Sequence, residues 1–209
     1  DDETQKAIDQ AHKNGYTTVY VSKDGKLIGF ISLMDKIRPN VKQAMSDLKD
    51  MGIRTILMTG DNRYTAGNIS KEVGISYVLS ELLPEDKHKH VKSLKESGNH
   101  VMMVGDGIND APALAIADVG VAMGSGTDVS LETADMVFMN NRIQNIEQSI
   151  KLAKRMKKIA RQNIIFSISV ISILLLSNVF GLVLLPLGVV AHEGSTILVI
   201  LNSLRLLRG

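Results

Sequence analysis

The chain has 209 residues, enough for one or two domains with a substantial core. Its formal net charge of +2 gives no reason to expect a nucleic-acid surface, and its lack of cysteine excludes disulfides and thiolate metal sites within this segment. Residues 1–14 are polar and acidic without an apolar core, so they do not read as a signal peptide.

The first predicted element is a short helix over 4–14. Two apolar, β-branched runs follow, Thr17 to Val21 and Leu27 to Leu33, around Asp24-Gly25, a dipeptide that predicts a tight hairpin. From Ile37 to about Gln148 the pattern alternates. Helices are expected near 39–51, 63–73, 85–97 and 111–116, with strands near 54–58, 76–79, 100–104, 119–122 and 136–139. That rhythm predicts an α/β domain with a largely parallel sheet. Met51, Met58, Met102 and Met103 read as core filling rather than as metal ligands.

Chemistry concentrates where the predicted strands end. Val101 to Val104 leads into Gly105-Asp106-Gly107-Ile108-Asn109-Asp110, which sets two carboxylates and an amide on a glycine turn. Carboxylates at that spacing suit Mg2+, which takes one or two protein carboxylates together with phosphate oxygens. A plain Gly-Asp surface turn is the competing reading. Thr59-Gly60-Asp61-Asn62 closes the run Thr55 to Met58 and offers a hydroxyl and backbone N–H groups to a phosphoryl oxygen. A helix cap by Asp61 or Asn62 is an equal reading of the same residues. Pro84 starts a helix with Lys87 in its first turn, where the cation opposes the helix dipole unless an anion binds there; otherwise it is a solvated lysine. Thr59, Lys87 and Asp106 each begin a new βα unit, and such units gather their functional ends on one edge of a parallel sheet.

The last zone is built for a different solvent. Gln162 to Ala191 carries no formal charge, and up to Leu204 the only one is Glu193. A crossing needs about 20 residues, so the span holds two. Lys151, Lys154, Arg155, Lys157, Lys158 and Arg161 precede it and Arg205 and Arg208 follow it, which puts both ends on the cytoplasmic side, with the turn near Gly181 to Gly188. In the second crossing, His192-Glu193-Gly194-Ser195-Thr196 places ionisable groups at membrane depth. His, carboxylate and hydroxyl together suit a divalent transition metal. A protonated Glu193, or one hydrogen-bonded to a neighbouring helix, is the alternative.

Taken together, Thr59-Gly60-Asp61, Pro84 with Lys87, and Gly105 to Asp110 resemble the phosphorylation domain of P-type cation-transporting ATPases, whose core is shared with haloacid dehalogenase-like phosphotransferases. Asp35-Lys36-Ile37-Arg38-Pro39 resembles the hinge from the nucleotide-binding domain, with Asp35 and Arg38 as its implied site residues, and Gly124-Ser125-Gly126-Thr127-Asp128 resembles the loop after the next strand. The acceptor motif Asp-Lys-Thr-Gly-Thr and the dephosphorylation motif Thr-Gly-Glu do not occur. The resemblance therefore implies the C-terminal part of a longer pump, which by itself does not hydrolyse ATP through a phosphoenzyme. It implies the end of a nucleotide-binding domain over 1–33, a phosphorylation domain over 34–148, and a basic linker helix with two transmembrane helices over 149–209.

The hairpin resembles the last two helices of the heavy-metal-transporting members. His192-Glu193-Gly194 is similar to the cobalt/iron type, whereas zinc/cadmium/lead members usually carry His-Asp-Gly; zinc stays open. The resemblance implies Mg2+ at Asp106 and Asp110 and phosphoryl contacts from Thr59, Gly60, Asp61, Lys87 and Asn109. It places the transported metal (Co2+, Fe2+, Zn2+ or Cd2+) at His192, Glu193 and Thr196. It also implies ATP bound mainly upstream, the lipid bilayer as partner, and a multi-pass place in the cell membrane. The basic helix before the first crossing reads either as a link between phosphate site and membrane or as an anchor to anionic headgroups. Two other classes remain open: a membrane-anchored dehalogenase-type phosphatase, and a non-catalytic Mg2+- or metal-binding module of a split pump.

Overall fold

The computed structural model describes residues 2–33, 36–106, 108–124, 128–181 and 185–207. Residues up to Glu147 form one compact unit and those from Gln148 onward a second.

The first unit opens with α1 (Asp2–Lys13) and an antiparallel hairpin of β1 (Thr17–Lys23) and β2 (Lys26–Leu33). Asp24 and Gly25 have φ of 52° and 76°. Two consecutive left-handed residues make the turn whose twist matches the strands, and this is the conformation that Asp-Gly favours. After α2 (Val41–Asp50) the chain alternates strictly: β3 (Ile56–Met58), α3 (Arg63–Val73), β4 (Tyr77–Leu79), α4 (Pro84–Glu96), β5 (Met102–Gly105), α5 (Ala111–Ile116), β6 (Val119–Met123), α6 (Asp128–Thr133) and β7 (Met136–Phe138). Every strand pairing after the hairpin is parallel, as the alternation predicts. These strands form two ladders, β3 with β4, and β5 with β6 and β7.

The short strands are apolar on both sides because helices cover them. Val91, Met103, Ala113 and Leu114 form a buried cluster joined by Met58, Val101, Ile116 and Ala117. Met58 of β3 thus shares a core with Met103 of β5, although their strands lie in separate ladders. Gly120 has no room for a side chain, since a Cβ there would lie 2.7 Å from the Leu114 carbonyl oxygen.

Three details differ from the sequence pattern. The helix expected from residue 39 starts only after Asn40, whose φ of 65° is left-handed and outside the helix. The helix α6 was not expected; it is six residues long and too short to show a period. The second unit holds most of α7 (Gln144–Val179), then α8 (Leu185–Ser203), so Pro186 to Gly188 of the expected turn lie inside α8. Pro186 lies in the first turn of α8, where its missing N–H costs nothing. Both helices are long and apolar enough to cross a membrane, and their apolar side chains are mostly exposed, as a lipid-facing surface requires.

Candidate phosphoryl and cation site

Parallel βα units place strand C-termini and helix N-termini at one edge, and the local chemistry is built there. Thr59 extends β3, its N–H donating to Leu79 O at 3.0 Å. Its hydroxyl donates to Asp61 Oδ2 at 2.8 Å and accepts from the Asp61 N–H at 3.1 Å. The cap of α3 is Asn62, which accepts from the N–H groups of Tyr64 and Thr65 at 3.0 Å each. Of the two cap candidates, Asn62 takes that task and Asp61 is left to pair with Thr59. Gly60 keeps the turn close to the neighbouring backbone, with a Cβ position 3.4 Å from Leu82 O.

The first turn of α4 is fixed by Pro84 and by Asp86, whose carboxylate accepts from the Leu83 N–H at 3.2 Å. One residue further, Lys87 Nζ donates to Asp110 Oδ1 at 2.7 Å. The two side chains are only 14% and 13% exposed, so the pair is shielded from water and held by charge as well as geometry. Gly105 makes room for Asp110: a Cβ there would meet Asp110 Cβ at 2.7 Å and Oδ2 at 2.8 Å. Glycine at the end of β5 thus allows the second carboxylate to fold back toward Lys87.

Asp106 is different. It is 58% exposed, and Arg38 Nη2 approaches its Oδ2 at 4.0 Å. Asn109 is exposed in the 3-10 turn that follows. Asp35 of the expected hinge, Gly107, and residues 125–127 of the expected loop lie outside the described residues. The structure therefore joins Lys87 to Asp110, Arg38 to Asp106, and Thr59 to Asp61.

A hard cation fits Asp106. Its carboxylate lies at a strand end, open to solvent, with oxygen chemistry suited to Mg2+. Asp110 has already committed one oxygen to Lys87 and packs the other against Gly105. Among the described residues no three His, Cys, Asp or Glu side chains converge, so water and phosphate oxygens would complete the shell.

At the opposite end of β5, Asp118 accepts from the Val101 N–H at 2.8 Å and pairs with Lys95 at 3.2 Å. The Val101 hydrogen bond, helped by Lys95, holds its carboxyl below the ordinary carboxylate value. Lys95 also donates to Ile116 O at 2.6 Å. These contacts brace the strand that carries Asp106.

In the second unit, His192 and Glu193 are exposed on α8. The Ser195 and Thr196 hydroxyls donate back to His192 O at 2.6 and 3.3 Å. A different polar cluster joins the two helices: Asn163 donates to Ser203 Oγ and accepts from Asn202 Nδ2, both at 2.8 Å. Sequence reasoning passed over these residues. Their signal is amides within an otherwise apolar run, where an unpaired polar group is costly.

The parallel βα array with two following apolar helices defines a dehalogenase-like α/β domain with candidate membrane spans. The chain belongs to the haloacid dehalogenase-like hydrolase family, whose model matches residues 2–118; a second model of the same description matches residues 87–150. It is 51% identical over 196 residues to a zinc-transporting ATPase of Bacillus subtilis (strain 168), covering 94% of this chain and 31% of that protein. It is 43% identical to a probable cobalt/nickel-exporting P-type ATPase of Mycolicibacterium smegmatis (strain ATCC 700084 / mc(2)155), covering 93% of this chain and 30% of that one. The crystal structure of a zinc-transporting PIB-type ATPase in its E2.Pi state matches with a TM-score of 0.89 at 40% identity, covering 99% of this chain and 34% of that one. The chain thus spans about three-tenths of the length of these curated relatives.

Proposed function

We propose that this chain is the C-terminal portion of an ATP-driven exporter of divalent heavy metals, working through an aspartyl-phosphate whose acceptor lies elsewhere in the complete protein. The observation that carries the reading is the shielded Lys87–Asp110 pair beside the open carboxylate of Asp106. A fixed cation next to a site for a second cation is the arrangement that phosphoryl transfer needs, since charge stabilisation supplies most of its catalysis.

In the complete pump an acceptor carboxylate attacks the γ-phosphorus of ATP, the bond to ADP breaks, and water later cleaves the acyl phosphate. Lys87, oriented by Asp110, neutralises the phosphoryl oxygens. Thr59 turns its hydroxyl from Asp61 to a phosphoryl oxygen, and Gly60 lets the backbone approach. Asn109 contacts the group or orients the turn. Asp106 holds Mg2+, which when bound supplies positive charge to the transferring group. The hinge carrying Asp35 and Arg38 joins this domain to the nucleotide-binding domain.

His192, Glu193 and Thr196 provide ligands for the transported ion on α8, with the remaining ligands on other membrane helices. Co2+ or Fe2+ fits the His-Glu-Gly pattern, and the relatives named for zinc and for cobalt/nickel keep Zn2+ beside them. The protein resides in the cell membrane, with both ends of the hairpin cytoplasmic because basic residues flank it on that side.

The test uses the complete protein in membranes. Asp106→Ala is expected to abolish phosphoenzyme formation from ATP, and Glu193→Ala to keep the fold while losing metal-stimulated turnover. Full stimulation of Glu193→Ala by every one of Co2+, Fe2+, Zn2+ and Cd2+ overturns the metal site; normal phosphoenzyme in Asp106→Ala overturns the cation role.

A further inference from the structure

Arg38 lies between β2 and α2, and its side chain reaches in two directions. Its Nη2 approaches Asp106 Oδ2 at 4.0 Å, and its Nη1 donates to Asn141 O at 3.4 Å. The next residue makes a parallel tie: Pro39 O accepts from Gln144 Nε2 at 3.3 Å. Asn141 has a left-handed φ of 52°, and Gln144 is the first residue of α7. One guanidinium therefore stands between the open carboxylate of the phosphate site and the backbone at the root of the helix that continues into the apolar segment.

We infer that Arg38 is the built-in counter-ion of Asp106, holding the place of the divalent cation and giving it up when the cation binds. This rests on the reading of Asp106 as the cation's carboxylate. The geometry favours exchange over a permanent bridge. At 4.0 Å the guanidinium stabilises the negative charge without a short, aligned hydrogen bond, and the two side chains are 48% and 58% exposed. Such a pair is weak and is broken readily by a competing charge. The Lys87–Asp110 pair, at 2.7 Å and mostly shielded, is the permanent one. Two carboxylates on one turn are thus sorted, one held by a lysine and one kept exchangeable by an arginine. When the cation takes Asp106, Arg38 retains its Asn141 partner, so occupancy of the site changes the charge balance at the root of α7. Arg38 is a positioning residue in this scheme, since it acts through Asp106.

The test is cation affinity, which needs no turnover. Mn2+ prefers the same hard oxygen ligands, and the loss of its free EPR signal reports binding to the purified chain in neutral detergent at low ionic strength, with Mg2+ as competitor. Arg38→Gln is expected to bind Mn2+ about two- to five-fold more tightly than wild type, the range set by an exposed ion pair. Arg38→Lys, which keeps the charge, is expected to return toward wild-type affinity, which a merely structural role would not produce. Arg38 is half exposed, so both variants should fold, and an unchanged thermal transition verifies it. Unchanged or weaker binding in Arg38→Gln, with Asp106→Asn still losing the site, overturns the counter-ion and leaves the cation reading intact. Undiminished binding in Asp106→Asn removes the cation from Asp106 and overturns both.

Discussion

Replacing Asp110 by Asn removes one charge from the shielded pair while preserving its shape. The Lys87 side chain is 14% exposed and that of its partner 13%, with Nζ 2.7 Å from the carboxylate. A hydrogen bond to a charged group contributes about 1.5–3 kcal/mol net, and orphaning one member of a fully buried pair costs about 3–5 kcal/mol. With roughly a seventh of each side chain still in water, about 2–3 kcal/mol is the expected loss for Asp110→Asn, and a similar loss for Lys87→Met. All four tyrosines, at positions 16, 20, 64 and 77, lie in the first unit, so tyrosine fluorescence follows its unfolding selectively. In a urea titration in mild detergent, a slope of about 2 kcal/mol/M converts the loss into a midpoint shift of about 1–1.5 M. The double variant should be less destabilised than the sum of the two by about 2 kcal/mol, because the second change removes a charge already orphaned. Additivity within about 0.5 kcal/mol would refute the claim that these side chains hold each other.

Other consequences can be measured in the same way. Gly120→Ala drives a methyl against the Leu114 carbonyl and should destabilise the first unit by about 1–3 kcal/mol, seen as a lower urea midpoint. Gly105→Ala should displace Asp110, so that a further Lys87→Met change costs less in that background than in wild type. Because the folded Asp118 carboxyl lies below its ordinary value, its contribution is fully present above the ordinary carboxylate range and is lost as pH falls through the lower folded value. Asp118→Asn should therefore lower the melting temperature at neutral pH and flatten its acid limb; parallel curves for the two proteins would contradict this. Asn163→Leu breaks the bonds to Ser203 and Asn202 and should weaken the helix pair by about 0.6–2 kcal/mol in an SDS titration followed by circular dichroism.

Local chemistry was readable from the chain wherever a residue acts on near neighbours. Asp24-Gly25 specifies its own turn, Pro84 its own helix start, and the spacing of apolar runs the parallel alternation. Thr59-Gly60-Asp61-Asn62 was ambiguous because Asp and Asn cap helices equally well, and only backbone direction assigns that task to Asn62. The pairing of Lys87 with Asp110 spans 23 residues and that of Arg38 with Asn141 spans 103, and no periodicity carries such information. Sequence spacing offered Asp110 beside Asp106 as a carboxylate for the cation, whereas their surroundings differ sharply. The lack of a Cβ at Gly105 lets one of them turn inward.

The division of the parallel strands into two ladders bears on cooperativity. Each pairing is made within one continuous stretch of chain: Ile56 with Tyr77, Met102 with Val119, Val121 with Met136. Among the described residues, what couples β3 to β5 is the packing of Met58 against Val91, Met103 and Leu114, not a shared ladder. Within this chain, therefore, β3 with β4 and β5 with β6 and β7 keep separate sets of backbone hydrogen bonds, and a change at the Met58 contact passes from one ladder to the other through side chains alone.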